Sequence, residues 1–207
     1  MRNPSCFPPA CVTTINEGGT GYSHADRQTA WDEPGLGKHS GWRHPTWIDD
    51  ENFTIGDTHF SSAIFDRFTS TPDRFCLVKT RSLVERYVTL LADLAPQRIV
   101  ELGIAKGGST AMLAALLRPE RLVAADIIPD RVEALDAFIE AQGLSGRVEA
   151  HYAVDQSDKA QLGGIVDAAF GDTQLDLVLD DASHHLDLTR ASFDLLFPRL
   201  RPGGLYV

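Results

Sequence analysis

From about residue 76 onward, hydrophobic positions along the chain switch back and forth between two periods. Leu83, Val84, Tyr87, Val88, Leu90, Leu91 and Leu94 recur at helical spacing within Leu77 to Leu94, and Ala95-Pro96 ends the run. Arg98-Ile99-Val100-Glu101-Leu102 then reads as a short buried strand, and Ser109 to Leu117 as a helix closed off by Pro119. Arg121 to Asp126 predicts a second strand, and Arg131 to Gln142 a helix stopped at Gly143. Arg147 to Val154 predicts a third strand, followed by a broken helix over Lys159 to Phe170. Leu175 to Leu179 predicts a fourth strand, Leu186 to Leu200 a helix, and Gly204-Leu205-Tyr206-Val207 the start of a fifth strand. Strands alternating with helices of this length define the α/β class with a doubly wound, mainly parallel sheet.

The first 75 residues have a different texture, rich in Gly, Pro, His and Trp and without a sustained period. Gly18-Gly19-Thr20-Gly21 and Glu33-Pro34-Gly35-Leu36-Gly37 read as loop. Trp31, Trp42 and Trp47 all fall here, so the region is expected to pack on something as a lid, a substrate-binding or an oligomer-forming segment. The organisation is thus an irregular part over 1–75 and a sheet domain over 76–207. Stopping in the middle of a fifth strand would leave a hydrophobic edge exposed, so the chain reads as a C-terminally truncated fragment.

Composition narrows the partners. With 29 acidic against 19 basic residues and a net charge of −10, the chain repels phosphate backbones, which argues against nucleic acid. No run approaches the roughly 18 apolar residues of a membrane span, and Met1-Arg2-Asn3-Pro4-Ser5 lacks a secretory pattern. Cys6, Cys11 and Cys76 are too few for a disulfide framework and suit a reducing, cytoplasmic setting. His39 and His44 make one pair of zinc-like spacing; with Cys6, Cys11 and His24 they form no zinc pattern.

Candidate chemistry gathers at the carboxyl ends of the strands, where a doubly wound fold binds ligands. The first strand of the sheet domain runs into Glu101-Leu102-Gly103-Ile104-Ala105-Lys106-Gly107-Gly108-Ser109-Thr110 and a helix. Glycines let backbone approach a ligand, and the helix start offers free N–H groups, although a Gly-rich turn can also be only a tight turn. Ala105 stands where a dinucleotide fingerprint has its second glycine. Glu101 can orient the turn and an amino-acid moiety of a cofactor. Asp126, closing the second strand, is placed to accept from two ribose hydroxyls, or else is a solvated strand-end acid.

Glu-Leu-Gly-x-x-x-Gly-Gly-Ser, an acid closing strand two and Pro202-Gly203-Gly204 before a strand together resemble the class I S-adenosylmethionine-dependent methyltransferases, over roughly residues 77–207. The resemblance implies the Rossmann-like fold of that family. It implies that Gly103, Gly107 and Gly108 meet the methionine portion, Asp126 the ribose, and Asp155 with Gln156 the adenine, with Ser109 also at the cofactor. The alternative for this loop is an Asx-type cap for the helix that follows, and Ser157 and Asp158 read as that cap.

Asp180-Asp181-Ala182-Ser183-His184-His185 at the end of strand four is harder to explain by packing, because carboxylates there must be paired, hydrated or metal-bound. It resembles the metal-dependent sugar and macrolide O-methyltransferases and the cephalosporin hydroxylase-like proteins. In that subgroup the acid matching Asp181 binds Mg²⁺ and the histidine matching His184 removes the hydroxyl proton, with further carboxylates supplied after strand five. Such an ion would lower the pKa of an acceptor hydroxyl and position it. His184 has a structural alternative as a helix cap; His185 reads as structural, and Asp180 as an orienting group. The expected function is Mg²⁺-assisted O-methylation of a hydroxylated small molecule such as a sugar or natural product. The expected assembly is a homo-oligomer, with the fifth strand and the tryptophans as its surface. An NAD(P)-dependent oxidoreductase and a non-catalytic cofactor-binding module are the alternatives.

Overall fold

A computed structural model describes residues 42–63 and 68–207. Trp31, Cys6, Cys11, His24 and His39 lie outside the described residues. The sheet domain carries five strands, β5 (Arg98–Leu102), β6 (Arg121–Ala125), β7 (Val148–His151), β8 (Leu175–Asp180) and β9 (Leu200–Tyr206). All of their pairings are parallel, in the order β7-β6-β5-β8-β9, so strand order reverses beside β5. The helices are α1 (Arg81–Leu94), α2 (Gly108–Leu117), α3 (Glu133–Ala141), α4 (Lys159–Phe170) and α5 (Leu186–Leu196). The doubly wound, parallel α/β reading therefore holds.

The first 75 residues are not irregular throughout. Strands β1 (Thr46–Trp47), β2 (Asn52–Ile55), β3 (Thr58–Ser62) and β4 (Arg74–Leu77) form a second sheet, antiparallel except for the β3–β4 pair. Its inner face supplies Trp47, Phe53, Ile55, Phe60 and Phe75, all buried, in one core with α1, α2 and α3. Phe53 stacks on Phe60 at 5.1 Å between ring centres, and Phe75 meets Phe138 of α3 edge-on at 5.4 Å. A separate cluster on the other face of the large sheet joins Leu162, Val166 and Phe170 of α4 to Val100, Val123 and Val178.

Helix α2 explains the glycine pair. Nine of its ten residues are buried, because it lies between the two sheets and has no solvent face. A Cβ on Gly108 would sit 2.2 Å from the Cys76 carbonyl oxygen, so only glycine lets β4 cross the helix start. Elsewhere the expected borders move by a few residues. Leu77 ends β4 instead of opening a helix, and α1 starts after its cap Thr80. Helix α4 runs unbroken through Gly163-Gly164. Pro198 sits in a 3₁₀ turn over Phe197–Arg199, so α5 stops at Leu196 and β9 begins at Leu200, four residues before the expected strand.

Candidate cofactor and catalytic site

The carboxyl ends of β5, β6 and β8 meet around a cavity of about 240 Å³, lined among others by Gly103, Asp126, Ile128, Gln156, Asp181 and Ser183. Its floor is the turn after Leu102. Gly103 has φ +97° there, and a Cβ would come 2.6 Å from the Asp181 carbonyl oxygen, so the ends of β5 and β8 can close up only around glycine. Ala105 also takes a left-handed conformation, φ +47°. Asp126 holds this turn in place. Its Oδ2 accepts from the backbone N–H groups of Ile104 (2.7 Å) and Ala105 (2.9 Å), and its Oδ1 from that of Ile128 (2.9 Å). The acid expected at the ribose is thus first the organiser of the pocket floor, with lone-pair capacity left over.

Glu101 lies behind the turn, fully buried, and accepts from Thr110 Oγ1 at 2.6 Å. Burial pushes its carboxyl up to about 7, against the opposing pull of hydrogen bonds from Ser109 and Thr110 and the charge of Lys79. Gly107, at φ +79°, caps α2 against Leu135 and Val132. The expected glycine cluster therefore serves close packing as well as ligand approach.

Both atoms of the Gln156 amide are engaged within the protein. Its nitrogen donates to Ser192 Oγ (3.1 Å) and, at 3.3 Å, to Asp180, and its oxygen accepts from the Ser183 N–H at 3.2 Å. It lines the cavity and fastens the β7 side of it to the loop after β8. Asp155 accepts from the hydroxyl and N–H of Ser157 in an Asx turn, and these bonds hold its carboxyl below the usual range. Asp158 caps α4 through the N–H groups of Ala160 and Gln161, as expected.

The acidic pair after β8 divides. Asp180 turns inward and accepts from Tyr206 (2.7 Å) and Ser192 (2.9 Å), which fits its expected orienting role. Burial, then this carboxylate, raises the Tyr206 hydroxyl pKa, while the Ser192 bond opposes them. Asp181 faces the cavity with its side chain 49% exposed, and its Oδ2 receives Lys79 Nζ at 2.5 Å. Its Oδ1 lies 3.6 Å from His184 Nε2. His184 is itself exposed and held at φ +54°, a conformation a non-glycine residue adopts at a local energy cost. His185 is the residue before α5, where its N–H donates to Ser183 Oγ. Three residues of this cluster escaped the sequence reading: Lys79, Ser192 and Tyr206. None carries a motif signal: Lys79 comes from an element remote in sequence, and Ser192 and Tyr206 reach Asp180 from the helix and strand that follow the loop.

A doubly wound sheet with a Gly-rich turn, an acid closing its neighbour strand and a loaded loop after β8 defines a nucleoside-binding class of fold. A model of the methyltransferase domain family matches residues 100–207, more than half of the chain, and the chain belongs to that family. Two curated relatives are similar over 53 residues each. The 8-demethyl-8-alpha-L-rhamnosyl tetracenomycin-C 2'-O-methyltransferase of Streptomyces olivaceus is 49% identical there, and the demethylmacrocin O-methyltransferase of Streptomyces fradiae 47%. The stretch covers 26% of this chain and only 13% of either relative. Among solved structures, MycE methyltransferase in complex with Mg, SAH and mycinamycin VI is 29% identical at a TM-score of 0.47, covering 59% of this chain and 32% of that one. An O-methyltransferase from Bacillus cereus in complex with SAH is 21% identical at a TM-score of 0.49, covering 61% and 55%. No helix among the described residues is long and apolar enough to cross a membrane.

Proposed function

We propose that this chain is the S-adenosylmethionine-binding part of an O-methyltransferase acting on a hydroxylated small molecule, a sugar or a natural product. The observation that carries the reading is the cavity at the strand ends, floored by the Asp126-ordered turn and walled by the Asp181–His184 loop. Its lining is largely apolar, and Ile127 and Ile128 stand exposed at its rim as surfaces for a flat base. The two curated relatives are named as O-methyltransferases, and the name of one places the methylated oxygen on a rhamnosyl group.

When bound, S-adenosylmethionine supplies a methyl group carried on a sulfonium. The chain's own residues do the rest. Asp126 and Gly103 keep the floor of the pocket rigid, so a cofactor is held without reordering the backbone. His184 stands on the loop at the pocket mouth, with Nε2 beside the Asp181 carboxylate. That leaves Nδ1 to take the proton of the acceptor hydroxyl, and Asp181 to stabilise the imidazolium formed. The histidine being mostly exposed matches a base that meets an acceptor arriving from outside.

Magnesium is the narrower part of the reading. Among the described residues no group of three or more His, Cys, Asp or Glu could hold a metal ion. Asp181 also carries the Lys79 ammonium on one oxygen. Mg²⁺ asks for about six oxygen ligands in octahedral array, so the residues present do not fit the ion, and no step is derived through it.

Calorimetric titration with S-adenosylhomocysteine, with NAD⁺ as the control, tests the cofactor. Saturable binding of the first and none of the second is expected; the opposite pattern would overturn the S-adenosylmethionine reading in favour of a dinucleotide site. His184→Ala should leave S-adenosylhomocysteine affinity within about twofold of the parent and lower turnover of an acceptor found by screening glycosylated natural products by about 10²- to 10⁴-fold. Unchanged turnover would remove His184 from the mechanism.

A further inference from the structure

A second and larger cavity, of about 760 Å³, lies beside the cofactor pocket. It is a cleft lined by Thr69 to Pro72, which lead into β4, by Ala105 and Lys106 of the Gly-rich turn, and by residues between Asp130 and Ala137, where α3 opens. Hydrogen bonds brace both walls. Ser70, itself buried, donates to the Lys106 carbonyl at 2.8 Å and accepts from the Cys76 N–H at 3.1 Å, which ties the small-sheet wall to the turn. On the other wall the Val132 N–H donates to the Tyr152 hydroxyl at 3.1 Å. A cleft held in this way needs little reordering to receive a ligand.

Its surface is mostly apolar, from Pro72, Val78, Ile128, Val132, Ala134 and Ala137. Val78 and Ile128 are exposed, so folding leaves apolar area open to water here. The charged residues of the lining are Lys106, Asp130, Arg131 and Glu133, two of each sign, and Arg131 is already held by both oxygens of Asp136. A balanced lining gives no net field to select a phosphate or an ammonium. The volume is that of a small-molecule site. Ala105 and Ile128 line both this cleft and the cofactor pocket, so ligands in the two would touch. Val78, Ala105 and Lys106 also border a narrow space of about 50 Å³ that Asp181 lines as well. A substituent on a ligand in the cleft thus has a way past the turn to the loop that carries His184.

We infer that this cleft binds the body of the acceptor, a neutral and largely apolar ring system whose hydroxylated substituent passes the Ala105 turn towards Asp181 and His184. The inference rests on the S-adenosylmethionine reading of the neighbouring pocket. The small sheet then has a task of its own: its Thr69 to Pro72 segment and the start of α3 choose the ring body, apart from the residues that act on the hydroxyl.

The test is fluorescence titration of the full chain with 6-propionyl-2-dimethylaminonaphthalene, a neutral two-ring probe, and with 1-anilinonaphthalene-8-sulfonate, an anionic one. The neutral probe should saturate and bind about tenfold or more tighter than the anionic one, and saturating S-adenosylhomocysteine should leave its affinity within about twofold. Ala137→Phe and Thr69→Trp put rings into the cleft from its two walls. Each should weaken the neutral probe by about tenfold or more, with S-adenosylhomocysteine affinity and the unfolding midpoint as in the parent. Competition between the neutral probe and S-adenosylhomocysteine, or unaltered probe binding in both variants, would overturn the assignment. No probe binding by the full chain would overturn it in favour of a cleft filled by another segment of the chain. Probe binding with S-adenosylhomocysteine refused would overturn the cofactor reading, and the acceptor with it, while supporting a ring-binding cleft.

Discussion

At the scale of single residues, Glu101 shows how far a motif letter can drift from its expected job. It was legible as an acid at a strand end, and the structure keeps it there, but sealed behind the turn with Thr110 as its hydrogen-bond donor. Burial holds its carboxyl near 7, above the ordinary 4.5. In that interval the folded chain keeps a proton that the unfolded chain has released, so stability falls as pH rises from the unfolded to the folded value and levels off above it. The loss is at most about 3 kcal/mol. Glu101→Gln keeps an acceptor for Thr110 and removes the charge. Denaturant midpoints measured between pH 4 and pH 8 (about four points suffice) should converge for the two proteins at the acid end, with the variant the more stable one at pH 8. Lys79 was illegible for the opposite reason. A lysine beside a helix cap looks like a solvated charge, and only the docking of β4 over α2, 102 positions from Asp181 in sequence, turns it inward.

At the scale of elements, β5, β6 and β8 could be read because each is buried on both faces and so forms a nearly continuous apolar run. The smaller sheet was missed although a local signal existed. Asn52-Phe53-Thr54-Ile55 alternates partly and fully buried positions, and Gly56-Asp57 turns it into Thr58-His59-Phe60, a two-residue hairpin. Four- and five-residue strands among loop-forming residues do not build a period long enough to register. The α5 element carries its own consequence for the site. Ser192 is fully buried and ties Asp180, Gln156 and Tyr206 together, and Gln156 in turn holds the Ser183 N–H in the His184 loop. Ser192→Ala leaves the Gln156 amide and Asp180 each short of a partner, a loss of about 1–3 kcal/mol. Thermal or denaturant unfolding should register that loss. Affinity for S-adenosylhomocysteine should fall by less than about tenfold, because the hydroxyl acts on the loop and not on the ligand. An unchanged midpoint would mean the cluster is already satisfied by water.

At the scale of the whole molecule, the question is whether the small sheet is an accessory or part of the same folding unit. Its aromatic face answers in physical terms. Phe53, Phe60 and Phe75 are fully buried in the core that also holds Val84 and Val88 of α1, Leu113 of α2 and Phe138 of α3. The same packing presses β4 onto Gly108 and carries Lys79 to Asp181, so the loop after β8 is tied to the small sheet. Phe60→Ala removes a ring from the middle of that stack, between Phe53 and Phe75. A buried aromatic truncated to alanine costs about 3–5 kcal/mol, and if the core is shared the cost must fall on the entire chain. Unfolding followed by far-ultraviolet circular dichroism, which reports the helices, and by tryptophan fluorescence, to which Trp47 of β1 contributes along with Trp31 and Trp42, should give one coincident transition for parent and variant alike, shifted as a whole in the variant. Two separated transitions, with only the fluorescence one moved by Phe60→Ala, would show that the small sheet melts independently. Lys79 would then reach Asp181 only while that sheet stays docked.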